Sequence, residues 1–81
     1  MKATVTVSLK AAVLDPQGKA IAAALRDLGL DLVESVRVGK VIELQLSEDA
    51  DVESVRRQVE TAADQLLANP VMEDWRVEIE A

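Results

Sequence analysis

The fold turns on the stretch L-V-E-S-V-R-V-G-K-V-I-E-L-Q-L, Leu32 to Leu46. Leu32 to Val38 reads as a strand, with Val36 and Val38 on one face. Ile42, Leu44 and Leu46 alternate with Glu43 and Gln45, the period-two signature of a half-buried strand. Between them, Gly39-Lys40 fits a two-residue turn of the Gly-first kind, which suits a tight hairpin. An antiparallel hairpin is therefore expected at the middle of the chain.

Upstream, Ala3, Val5, Val7 and Leu9 alternate with Thr4, Thr6 and Ser8, which predicts a first strand. Lys10 to Leu14 connects it to a helix start at Asp15-Pro16. Asp can accept a hydrogen bond from an orphan N–H there, and Pro loses no bond at the first helical position. Ile21, Ala24, Leu25 and Leu28 recur at helical spacing, and Gly29 suits the left-handed residue beyond the helix end. Downstream, Asp49 or Asp51 can cap a second helix, with Glu53 adding negative charge near its positive end. Val52, Val55, Val59, Ala62 and Leu66 form the clearest helical stripe, which Asn69-Pro70 ends. Trp75, Val77 and Ile79 then alternate with Arg76, Glu78 and Glu80 in a last strand.

The order is β-α-β-β-α-β. The economical packing is an α+β domain over residues 1–81, a four-stranded antiparallel sheet with two helices on one face, as in ferredoxin-like domains. The second face of that sheet is expected to carry Thr4, Thr6, Ser8, Arg37, Glu43, Gln45, Arg76 and Glu78. A thin core, open sheet edges and a mixed polar face together favour homo-oligomerisation.

Composition narrows the chemistry. The 81 residues include no Cys and no His, and Trp75 is the sole aromatic. Disulfides, thiolate nucleophiles, imidazole bases and the usual zinc sites are excluded at once. Nine basic against fifteen acidic residues give a net charge of −6, the wrong sign for phosphate neutralisation. With no aromatic platforms, single-stranded nucleic acid has nothing to stack on. No apolar run is long enough to span a membrane as a helix, and Met1-Lys2-Ala3-Thr4 leads into an alternating segment rather than a signal peptide. The expected location is cytoplasmic, with no nucleic-acid or membrane partner.

Gly18, Gly29 and Gly39 do not have phosphate-loop or dinucleotide spacing. The carboxylates Glu48, Asp49 and Asp51, and again Glu73 and Asp74, are read as helix-capping and loop residues rather than acid–base pairs, because polar local sequence does not bury them. No catalytic, cofactor-binding or metal-ligating residue is expected in this chain.

Three segments stand out together: V-S-L-K-x-x-V-L-D-P-Q-G at Val7 to Gly18, V-R-V-G-K at Val36 to Lys40, and L-L-A-N-P-V-M-E-D-W at Leu66 to Trp75. In this order and over this length, the chain resembles the PurS family, the small subunit of phosphoribosylformylglycinamidine (FGAM) synthase. One departure is Trp75, where the family often has Tyr; both serve as amphipathic anchors.

The resemblance implies a non-catalytic accessory subunit of a purine-biosynthetic amidotransferase. It would form a dimer or tetramer and assemble with a large synthetase subunit (PurL) and a glutaminase subunit (PurQ). The partners would use ATP, Mg and glutamine, and this chain would help couple ammonia release to its use. Contact anchors are commonly Trp or Arg within a polar rim. The candidate subunit-interface residues are therefore Trp75, Arg37 and Lys40, with Lys10 and Gln17 from the first segment. The alternative reading is a small-molecule-binding regulatory module of ferredoxin-like fold, an argument from fold analogy.

Overall fold

Lys2–Leu9 forms the central strand β1. Its Ala3, Val5 and Val7 are buried, while Lys2, Thr4 and Thr6 lie half-exposed on the opposite face. The computed structural model describes residues 1–80. After β1 come α1 (Pro16–Asp27), β2 (Gly39–Gln45), α2 (Val52–Ala62) with a π-helical continuation over Ala63–Leu67, and β3 (Glu73–Glu80).

Among the described residues the sheet has three strands in the order β2-β1-β3, both pairings antiparallel. This corrects the four-stranded expectation. Among the described residues Leu32 to Val38 has no ladder partner, and Gly39-Lys40 is not a turn but the beginning of β2. Gly39 lies opposite Ser8 in the β1–β2 register. A Gly-first hairpin turn needs a positive φ at its glycine. The only described residue with positive φ is Gly29. Gly39 is glycine for another reason: a Cβ there would lie 2.5 Å from the Val7 carbonyl oxygen. Close backbone approach, not a turn, explains the residue.

The core lies between the sheet and α2. Ala3, Val5 and Val7 of β1 meet Val55 and Val59 of α2 and Ala63 of its continuation. Ile42, Leu44, Trp75, Val77 and Ile79 close its sides. The Asp51 side chain accepts from the Ser54 N–H at 3.1 Å and starts α2. The buried stripe then runs Val55, Val59, Ala63 rather than through Ala62 and Leu66. The π turn, closed by the Ala68 N–H donating to the Ala63 carbonyl at 2.9 Å, moves Leu67 and Ala68 toward the core. Leu66 is left exposed.

The second correction concerns α1. Two helices on one face were expected, but no residue of α1 belongs to the core cluster. Instead α1 packs through Gly18 and Ala22, and Gly18 sits against the chain at Val36. The helix closes as a Schellman motif, with the Leu30 N–H donating to the Leu25 carbonyl at 3.0 Å and the Gly29 N–H to Arg26 at 2.9 Å. Together α1 and residues 28–38 form an arm beside the sheet.

The arm makes the molecule long. Its extents are 51 × 25 × 14 Å and its Cα radius of gyration is 16.3 Å. A compact domain of this length would have a radius of gyration of about 12 Å. The exposed area is 5835 Å², against about 4,800 Å² for a compact monomer of this mass.

Candidate functional site

The arm meets the sheet at a corner built from the end of β1, the start of α1 and the start of β2. Asp15 is its centre and is buried. One carboxylate oxygen accepts from the Gly18 N–H at 2.8 Å, which caps α1. The other accepts from the Val38 N–H at 2.8 Å, which ties the arm to the cap. These backbone donors, Val38 first and then Gly18, hold the Asp15 carboxyl below the usual carboxylate range, with the Arg37 charge adding to the effect.

Arg37 grips the same corner from outside. Its Nη1 donates to the Val13 carbonyl at 3.0 Å and its Nη2 to the Lys10 carbonyl at 2.8 Å. Arg37 thus lies off the sheet, and its expected place on the open strand face is corrected. Gly18 completes the fit: a Cβ on it would lie 2.2 Å from the Val36 carbonyl oxygen, so the helix start and the arm touch backbone to backbone. Within the arm, Arg26 donates to the Val33 and Glu34 carbonyls at 3.3 and 2.8 Å.

The remaining candidates divide. Gln17 and Lys40 line one shallow concavity of about 280 Å³ together with Asp15, Val38 and Glu73. Lys10 lies alongside, its Nζ 3.3 Å from an Asp74 carboxylate oxygen. Four of the five sequence candidates (Lys10, Gln17, Arg37 and Lys40) therefore gather at one corner. Trp75 does not join them. It lies opposite Val7 across the β1–β3 ladder and packs, half-buried, against the core.

In the sequence Asp15 signals only a helix cap, and nothing local to it announces the tie to Val38. The sequence expectation also omits the apolar surface of the arm. Leu28 and Leu32 are 78 and 92 % exposed, Leu30 and Ile21 are exposed as well, and Leu14, just ahead of the arm, is 75 % exposed. Ile21 and Leu28 belong to the predicted apolar helix face, which is the available signal; among the described residues Ile21, Ala24 and Leu28 of that face are exposed and Leu25 is half-buried. A larger concavity of about 350 Å³ opens on a different side of α1, between Ala11–Leu14, the helix residues Lys19, Ala22 and Arg26, and Glu34–Arg37. Among the described residues, no group of three or more acidic side chains converges to hold a metal ion. None of the described helices is long and apolar enough to cross a membrane.

A sheet with one covered face, carrying a bracketed arm with an apolar surface, defines a small α+β protein built to be contacted by other chains. The family model for PurS, phosphoribosylformylglycinamidine (FGAM) synthase, matches residues 2–81. The chain belongs to the PurS family. It is 48 % identical over 75 residues to the phosphoribosylformylglycinamidine synthase subunit PurS of Synechocystis sp., covering 93 % of this chain and 74 % of that one. The solved structure of Bacillus subtilis PurS superposes with a TM-score of 0.84 at 43 % identity, covering 99 % of this chain and 98 % of the other. A chain in the structure of PurLQS from Thermotoga maritima gives a TM-score of 0.84 at 34 % identity, covering 95 and 93 %.

Proposed function

We propose that this chain is the PurS-type accessory subunit of FGAM synthase in purine biosynthesis, assembling with PurL-type and PurQ-type subunits in the cytoplasm. The observation that carries the reading is the likeness, over nearly its whole length, to a chain of the PurLQS structure. The composition supports a non-catalytic part in it. A glutaminase of the Cys–His kind needs two residue types that are absent from this chain. ATP, Mg and glutamine are accordingly assigned to the partner subunits.

The arm supplies the physical reason for assembly. The area above that of a compact monomer is about 1,000 Å², close to what one partner contributes to a standard stable interface (about 800 Å²). Covering Leu14, Leu28, Leu30 and Leu32 with a second copy gives the dimer or tetramer expected of the chain. Lys10, Gln17, Arg37 and Lys40 then lie at the margin of that contact, and the subunit's role is to hold the glutaminase and synthetase together so that ammonia passes between them.

Reconstitution tests the reading. Glutamine-dependent amidine formation by the PurL- and PurQ-type subunits is measured with and without this chain. Activity that depends on the chain is the expected result. Full activity without it would overturn the accessory role.

A further inference from the structure

We infer that Asp15 and Arg37 form a bracket that fixes the α1 arm in its assembly-ready position within the single chain, before any partner covers it. The inference rests on the arm being the assembly surface, as proposed above, and adds how that surface is made ready.

The geometry carries it. The arm has no residue in the core cluster, so the core cannot be what sets its direction. An isolated helix of 12 residues is marginal in water. Yet α1 and residues 33–38 are joined to each other and to the end of β1 by side chains on both sides of one joint. From inside, Asp15 binds the Gly18 and Val38 amides. From outside, Arg37 binds the Lys10 and Val13 carbonyls. These are charge-assisted bonds, stronger than neutral ones. Between them, Gly18 lets the backbones of α1 and residues 33–38 touch at Val36. The ordering of the arm is thus completed on folding, and association need not supply it.

Asp15 is buried, so a substitution there acts on a partner only through the arm. Three variants separate the possibilities. D15N places an amide N–H₂ where one backbone N–H must be accepted. D15S keeps the helix cap but is too short to reach Val38. R37A removes the outer grip. A fourth, L32E, weakens association without touching the bracket. Self-association is measured by sedimentation over a range of concentrations, and amide exchange is followed in α1 and in the sheet.

In D15N, D15S and R37A, the dissociation constant is expected to rise roughly tenfold or more. The α1 amides should lose protection, while the β1 and β3 amides and the Trp75 emission stay as in the unaltered chain. L32E should dissociate yet keep its α1 protection. If L32E loses α1 protection as fully as D15N, the partner orders the arm and the bracket inference is overturned. If the bracket variants associate normally, it is overturned as well. If L32E does not dissociate, the arm is not the assembly surface, and it is the underlying reading that fails.

Discussion

The Asp15 carboxylate accepts the Val38 amide at 2.8 Å across 23 residues of sequence. The same carboxylate caps α1 through Gly18. One ionised group therefore couples a local helix start to a distant strand entry, and its protonation loosens both.

The pH dependence follows from that coupling. The fold depresses the Asp15 carboxyl below its usual 3.8. Its stabilising contribution is therefore complete above the unfolded value and is lost as pH falls through the lower folded value. The Val38 and Gly18 amide proton resonances should titrate together, with a midpoint below 3.8. D15N should abolish the transition, and a midpoint at or above the usual value would contradict the bracket geometry.

Gly39 and Gly18 should respond differently to alanine. At Gly39 the new Cβ would press on the Val7 carbonyl inside the β1–β2 ladder. A loss of about 1–3 kcal/mol is expected, read from urea unfolding followed by Trp75 fluorescence. At Gly18 the Cβ would press on the Val36 carbonyl instead. The α1 amides should lose exchange protection there, while the sheet amides remain protected.

The apolar arm gives a prediction about stability as well as assembly. Leu32 is 92 % exposed. Replacing it with Glu in the separated chain should change folding stability by no more than about 0.5 kcal/mol. By contrast Val5, fully buried beneath α2, should cost about 2–3 kcal/mol when cut to Ala. Equal losses at the two positions would mean that Leu32 is covered within the chain.

The corner lysines should affect partner binding more than folding. Lys10 and Asp74 form an ion pair at 3.3 Å between substantially exposed side chains. K10A is therefore expected to cost at most about 1 kcal/mol of stability. K40E, at an exposed position beside Gln17 and Glu73, should lower the affinity for the PurL- and PurQ-type subunits in titration calorimetry and leave the unfolding midpoint unmoved. Equal loss of folding and binding would assign Lys40 to structure.

These residues also show which features could be read from the chain alone. The alternation in β1, the Asp15 cap and the left-handed Gly29 are local, and each lies where its neighbours predict it, while of the two acidic residues offered for the second cap the structure uses Asp51. Gly39 misled because glycine signals both a turn and a close approach, and only the position of Val7 distinguishes them. Leu66 was placed in the core by a regular helical count that the π turn at Ala63–Leu67 breaks. Lys10, Gln17, Arg37 and Lys40, singled out by residue type and segment, do lie together at the corner. The bond that organises the corner was not legible, because Val38 is remote in sequence from Asp15. Trp75 obeyed its own alternation with Val77 and Ile79 and went to the core side.

The sheet order β2-β1-β3 sets a kinetic character as well as a shape. The first strand of the chain is the middle strand of the sheet, and neither of its neighbours is near it in sequence: Ser8 meets Gly39, and Lys2 meets Glu80. No hairpin can form early and template the rest, so loop closure precedes nearly every stabilising contact in the sheet. Folding should therefore be slower than that of a helical bundle of the same length. Until β3 arrives, β1 keeps one unpaired edge, and it is in that interval that the nascent protein is most exposed to wrong neighbours.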